Sequence, residues 1–134
     1  MRIKDKKTED NNPKDKLATE LKKKEVLLAY QAHPQMETLF NRFKDDASLR
    51  GFEMEINTEA TLKVQTDTFK LNWNNPEAFS LTVEIFNNKA EKIIELESDN
   101  NTCQVLSPKP KGLYYWKLLD EDFELIFCGK IIIE

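Results

Sequence analysis

The feature that most constrains the fold of this chain is a pair of aromatic and β-branched runs near its C-terminus. The first run covers residues 112–118 and the second covers residues 123–133, with a short acidic turn between them. Aromatic and β-branched residues favour strands, and a short turn between two such runs favours an antiparallel pair. The sequence therefore predicts two paired strands that close a β-sandwich, and it constrains the fold more than the chemistry.

Further strands are predicted upstream, where apolar and polar residues alternate. This alternation is typical of a strand with one buried face. Turn-forming asparagine, aspartate and proline residues separate the segments. The predicted strands cover residues 52–56, 69–73, 79–85, 92–97 and 102–106. Together with the C-terminal pair they make about seven strands without helical patterns between them, which predicts a mainly β, antiparallel sandwich.

Two short helices are predicted before the sandwich. Leucines recur at helical spacing over residues 14–32, and Pro34 ends that pattern because the residue before a proline disfavours helix. Pro34 can also open the second helix as its first residue. Four apolar residues then lie at positions i, i+3, i+4 and i+7, which is the spacing of one helix face: Met36, Leu39, Phe40 and Phe43.

This apolar helix face has two interpretations. It packs within its own domain, as most apolar helix faces do, or it forms a partner-binding surface with Met36, Phe40 and Phe43 as the candidate residues. The second C-terminal run is apolar on both strand faces, and such a strand is normally covered on both sides. We therefore expect the N-terminal helices, or a second copy of the chain, to cover its outer face.

The chain divides into three predicted regions: a basic, flexible tail at residues 1–13, a helical segment at residues 14–51 and the sandwich at residues 52–134. Residues 1–24 carry nine Lys and Arg against five Asp and Glu, whereas residues 25–134 carry eleven against nineteen. An acidic body disfavours binding to nucleic-acid phosphates, so no nucleic-acid partner is predicted. The basic tail favours contact with an anionic membrane surface.

The sequence leaves the compartment open. Its apolar runs are shorter than the roughly 18 residues that a membrane-spanning helix needs, and residues 1–13 lack the apolar region of a signal peptide. As written, the chain is therefore expected in the cytoplasm. If Met1 is not the natural start and the chain is a fragment of a membrane-anchored protein, the expected placement is extracytoplasmic.

The order of the strand motifs resembles a known sandwich family. The motifs are Phe69-x-Leu71-x-Trp73, Leu81-x-Val83-x-Ile85-Phe86-Asn87-Asn88 and Lys111-Gly112-Leu113-Tyr114-Tyr115-Trp116-Lys117. This series resembles the fibronectin type III or immunoglobulin-like sandwich of bacterial extracytoplasmic and anti-sigma-like regulatory proteins, over about residues 52–134. The resemblance implies a spacer or recognition module in a bacterial regulatory or envelope assembly, because such sandwiches carry many functions on one fold.

No catalytic residue, cofactor site or metal site is predicted. His33 is the only histidine, and a zinc site normally needs about four nitrogen or sulfur ligands. Cys103 and Cys128 form either a disulfide or two buried thiols, and the sequence favours the thiols. The acidic run at residues 120–122 is interpreted as a solvated turn, since calcium needs roughly six to eight oxygen ligands. A small hydrolase is therefore the least favoured function.

The candidate surface residues on the strands are Tyr115 and Lys117. Residues alternate between the two faces of a strand, so Tyr115 and Lys117 share one face while Tyr114 and Trp116 share the other. The first pair is expected to point outward, where an aromatic ring and a lysine can contact a partner peptide or stack on a sugar. We therefore predict a noncatalytic protein-interaction or spacer module with a protein partner or self-association. Carbohydrate binding is the alternative.

Overall fold

The computed structural model describes residues 28–45 and 54–134 of the chain. Helix α1 spans Pro34–Asp45. The strands of the described part are β1 (Thr61–Val64), β2 (Thr68–Asn72), β3 (Leu81–Asn87), β4 (Lys92–Ser98), β5 (Thr102–Leu106), β6 (Gly112–Leu119) and β7 (Leu125–Ile133). The protein is therefore mainly β, as predicted.

Five strands form a large sheet in the order β1-β7-β6-β3-β4. The predicted C-terminal pair lies within it, because β6 and β7 are antiparallel from Gly112 opposite Ile133 to Leu119 opposite Leu125. The other inner pairs are antiparallel as well. Strand β1 instead runs parallel to β7. The large sheet is therefore mixed, which corrects the prediction of a purely antiparallel arrangement.

Strands β2 and β5 form a second, two-stranded antiparallel sheet. The core lies between the two sheets, giving a sandwich-like arrangement. The indole of Trp73, which follows β2, stacks on that of Trp116 on β6 with ring centroids 6.4 Å apart. Six residues that face this core are buried together in one cluster: Trp73, Leu81, Val83, Ile85, Tyr114 and Trp116.

The first strands differ from the prediction. A strand is predicted at residues 52–56, but the described part of that segment makes a single bridge, between Ile56 and Trp73. Strand β1 was not predicted. It is only four residues long, and its partner is the C-terminal strand, so no local repeat marks it. Pairing between segments so distant in sequence is decided by the tertiary fold.

Helix α1 confirms the second predicted helix. Pro34 is its first residue, and the preceding His33 caps it, since His33 Nδ1 accepts a hydrogen bond from the Met36 N–H at 3.3 Å. The His33 carbonyl accepts from the Glu37 N–H at 2.8 Å. The first predicted helix lies outside the described residues except near its end, where residues 28–29 are helical.

The predicted basic tail, with its proposed membrane contact, also lies outside the described residues. Within the part that is described, no helix combines the length and the apolar character that crossing a membrane requires.

Helix α1 packs against β7. Strand β1 pairs only with residues 130–133 of β7, so the first half of β7 has no strand neighbour on that side among the described residues. The Phe43 ring meets the Phe127 ring there edge-on, with centroids 6.1 Å apart. The Lys130 ammonium lies 4.5 Å from the centre of the Phe40 ring. Helix α1 therefore packs against the last strand, and of the predicted outer face it reaches the part at Lys130.

Candidate functional site

A polar cluster lies beneath the first turn of α1. Tyr115 and Lys130 are register partners on β6 and β7, so their side chains share one face of the large sheet. Helix α1 places Glu37 above them. The Tyr115 hydroxyl donates to Glu37 Oε2 at 2.6 Å, and Lys130 Nζ lies 2.8 Å from Glu37 Oε1 and 2.7 Å from Oε2. The His33 N–H donates to the Tyr115 oxygen at 3.2 Å.

The electrostatics of this cluster favour a charged Glu37 beside a neutral Tyr115. Partial burial alone would raise the pKa of Glu37, but hydrogen bonds from Lys130 and Tyr115 and the positive charges of Lys130 and Lys44 outweigh it and lower the pKa. Burial, followed by the hydrogen bond to Glu37, raises the pKa of Tyr115. Every polar group of the cluster is engaged with another, so the cluster fastens α1 to the sheet.

The predicted partner-binding residues are mostly buried. Met36, Phe40 and Phe43 are 6%, 3% and 7% exposed, and Tyr115 is fully buried. The expectation that the Tyr115 ring points to solvent is wrong, because α1 covers that face of β6. This also removes the ring on which the carbohydrate-binding alternative rests. Lys117 is half-buried, and its ammonium lies 4.7 Å from the centre of the Phe86 ring.

The two cysteines are free and buried. Cys128 is the register partner of Lys117 and therefore lies on the face of the large sheet that points away from the small sheet. Cys103 lies on β5, within the small sheet. This separation explains why they do not pair, and the interpretation as two buried thiols is confirmed. Burial raises the pKa of Cys128 to about 12 and also raises that of Cys103, so neither thiol is activated as a nucleophile.

The acidic run at residues 120–122 forms the turn between β6 and β7. Asp120 Oδ1 accepts hydrogen bonds from the N–H groups of Asp122 and Glu124, at 2.9 and 2.8 Å. The carboxylate is therefore used to shape the turn. Across the described residues, no three His, Cys, Asp or Glu side chains are grouped in a way that could hold a metal ion.

An apolar groove of about 1000 Å³ lies beside β4 and β5, and we call it the β4–β5 groove. Ile94 and Leu96 of β4 and Leu106 of β5 line it, together with the loop that follows β5. Leu106 is 71% exposed, and Ile94 and Leu96 are partly exposed. A smaller groove of about 670 Å³ lies where residues 28–34 cross the end of the large sheet near Tyr114.

Sequence reasoning missed both the polar cluster and the β4–β5 groove. Nothing near Glu37 in the sequence distinguishes it from the other surface acids. The groove had a usable signal, since Ile94 and Leu96 alternate with Glu95 and Glu97 as in a half-buried strand. What the alternation did not show is that the inner residues lie at a sheet edge, where little covers them.

Two comparisons with known proteins found no match. No family model matches the chain, and no curated protein matches it. Function is therefore inferred from the geometry of the described residues.

Proposed function

We propose that this chain is a noncatalytic protein-interaction module. The observation that carries the proposal is the β4–β5 groove, whose apolar lining includes an exposed Leu106 and the partly exposed Ile94 and Leu96. An apolar concave surface on a folded domain is typical of a binding site. The groove is open and lies beside two strands, which suits a peptide or protein surface better than a reactive small molecule.

The noncatalytic part of the proposal is supported by the state of the chemically active side chains. His33 Nδ1 caps α1, the Tyr115 hydroxyl and Glu37 are bonded to one another, and the pKa values of both thiols are raised. General acid–base or nucleophilic catalysis requires such groups to be accessible and activated. In this protein these side chains are buried or form hydrogen bonds that stabilise the fold.

We further propose that the sandwich is of the immunoglobulin or fibronectin type III kind. The parallel pairing of β1 with β7 at the edge of an otherwise antiparallel sheet supports this. So does Tyr114 at the start of β6, whose hydroxyl donates to the Pro110 carbonyl four residues upstream. That arrangement matches the tyrosine corner of immunoglobulin-like folds. Membership in a bacterial regulatory or envelope assembly follows the same resemblance and is proposed with it.

The proposal is tested by removing the apolar lining of the groove. Ile94→Ser and Leu106→Ser, made separately, should abolish capture of a cross-linked partner from the native host, identified by mass spectrometry against the parent protein. Phe123→Ser is the matched control, because Phe123 is 64% exposed but lies in the turn before β7. Its substitution should leave capture unchanged. If the parent captures no partner above the level of the groove variants, the spacer interpretation replaces the proposal.

A further inference from the structure

Within the described part of the chain, one edge of strand β4 has no strand partner. It is the last strand of the large sheet and pairs with β3 alone among the described strands. It spans seven residues, Lys92–Ser98. Such an edge presents a row of backbone N–H and C=O groups that another extended chain can bind.

The two faces of β4 differ in character. Ile94 and Leu96 lie opposite Ile85 and Val83, which are fully buried, so they point toward the interior and line the β4–β5 groove. Glu95 lies opposite Glu84 on the outer face, and Glu97 follows it two residues later. A strand added to this edge would meet aliphatic side chains on its inner face and carboxylates on its outer face.

The edge carries excess negative charge. Four exposed carboxylates lie along residues 91–99: Glu91, Glu95, Glu97 and Asp99. The single lysine of that stretch, Lys92, is already engaged, with its Nζ 2.5 Å from Glu95 Oε1 and 3.3 Å from Glu84 Oε2. Glu97 forms no ion pair with any described residue. On the other wall of the groove, two lysines are matched by two acids: Lys109, Lys111, Asp67 and Glu134.

The same charges disfavour a second copy of the chain at this edge. In a two-fold antiparallel pairing of β4 with itself, any register centred between Ile93 and Glu97 places two carboxylates opposite each other. Centring on Ile94 opposes Glu91 and Glu97, and centring on Leu96 opposes Glu95 and Glu97. Like charges directly opposite are destabilising, which protects the edge from self-pairing. The edge therefore selects a partner of opposite charge.

We infer that the β4 edge binds an extended segment of a partner protein in which Lys or Arg residues alternate with aliphatic residues. The inference rests on the proposed interaction function and names its partner class. The basic side chains lie next to Glu95 and Glu97 on the outer face. The aliphatic side chains lie beside Ile94 and Leu96 and cover the open side of the β4–β5 groove. Backbone hydrogen bonds to β4 supply affinity, and the alternating side chains supply specificity.

The first test measures binding of capped synthetic peptides to the full chain by isothermal titration calorimetry. The probe has the sequence Lys-Leu-Lys-Val-Lys-Leu-Lys, and a matched peptide has Glu in place of every Lys. The lysine peptide should bind and the glutamate peptide should not. Two further lysine peptides carry N-methyl groups on one or the other alternating set of amides. Only one set faces β4, so one of these peptides should lose binding while the other keeps it.

The second test changes the charges of the edge. Glu95→Gln combined with Glu97→Gln should weaken binding of the lysine peptide by about 5- to 10-fold, the size expected from two cross-strand charge pairs. Glu121→Gln combined with Asp122→Asn removes the same charge from the turn before β7 and should leave binding unchanged. Equal weakening by both double variants would mean that net charge, and not this edge, attracts the peptide, and would overturn the inference.

Two other results would also contradict it. If both N-methylated peptides bind as well as the unmodified one, no strand is added. If the full chain binds the probe only after Arg2, Lys4, Lys6 and Lys7 are all changed to Gln, the edge is occupied by the chain's own basic segment and not by a partner. Failure of the peptide tests while Leu106→Ser still abolishes partner capture would reject this inference and leave the proposed function standing.

Discussion

At the scale of single residues, the core depends on how closely Trp116 can approach its neighbours. Its ring is fully buried and lies between Trp73, with centroids 6.4 Å apart, and Phe127, with centroids 5.3 Å apart. Its register partner on β7 is Gly129. A Cβ atom at Gly129 would lie 2.2 Å from the Trp116 indole nitrogen. Position 129 therefore requires glycine, because the Trp116 indole occupies the volume that the Cβ atom of any other residue would need.

Gly129→Ala should accordingly destabilise the protein. We expect a loss of about 1–3 kcal/mol in the free energy of unfolding, the usual cost of overpacking a dense core, measured by urea denaturation. The same substitution in a Trp116→Phe background should cost less, because the smaller ring leaves room for the methyl group. An equal cost in both backgrounds would show that the indole does not impose the glycine.

Trp116→Ala should have a larger effect in the same assay. Removing a fully buried indole leaves a cavity between the two sheets, and truncations of this kind cost roughly 3–5 kcal/mol. That is a large part of the total stability of a small domain. A thermal midpoint within a few degrees of the parent protein would contradict the placement of Trp116 at the centre of the core.

At the scale of elements, α1 is attached to the large sheet by two kinds of contact. Its apolar face is buried against β7 through Phe40 and Phe43. Its first turn is fixed by the ion pair and hydrogen bond that Glu37 makes with Lys130 and Tyr115. The apolar contact supplies most of the stability, because partly exposed ion pairs contribute little by themselves.

The double substitution Phe40→Ser with Phe43→Ser should detach the helix from β7. We expect stability to fall by at least about 3 kcal/mol, since two buried aromatic rings are lost. Gln35→Ser with Asn41→Ser is the matched control, because both positions lie on the exposed face of α1. If the two double variants unfold at the same denaturant concentration, the buried helix face is not holding α1 in place.

The Glu37 contact should make helix attachment sensitive to acid. Its pKa is lowered in the folded state, so its contribution is present above the ordinary value of 4.5 and is lost as pH falls through the lower, folded value. The parent should therefore be more stable than Glu37→Gln at pH 7, and the difference should shrink toward pH 3. Glu121→Gln, in an exposed turn, should show no such trend. Urea denaturation at the two pH values measures both.

At the scale of the whole molecule, the reactivity of the two cysteine thiols measures whether each sheet opens. Cys103 belongs to the small sheet and Cys128 to the large sheet, and both are buried and unpaired. Neither should react with an aromatic disulfide reagent in the native state, and both should react once the protein unfolds in urea. Reaction in native buffer at a rate that follows global unfolding would fit this placement. Rapid native reaction of Cys103 alone would mean that the small sheet opens independently.

The sequence by itself determined the strand pairs that lie close together in the chain. The alternation in residues 79–85 and the paired runs around Tyr115 and Ile131 specify which residues face inward, because the strand period of two fixes both faces once one is apolar. The helix at Pro34 was equally readable, since proline and a periodic apolar stripe are local signals. The residues that signal each of these elements lie within about ten residues of it in the sequence.

Only the tertiary structure shows which segments far apart in the sequence come into contact, and those contacts determine the candidate surfaces. The parallel pairing of β1 with β7 joins segments with no shared pattern. Whether Tyr115 is buried or exposed could likewise not be decided from its own strand. Either face of a central strand can be covered, and α1, which covers this one, lies far from β6 in sequence. Glu95 and Glu97 became a candidate binding edge only because β4 is the last strand of the large sheet among the residues that the structure describes. Strand order follows from packing of the whole sandwich, and a local sequence pattern does not encode it.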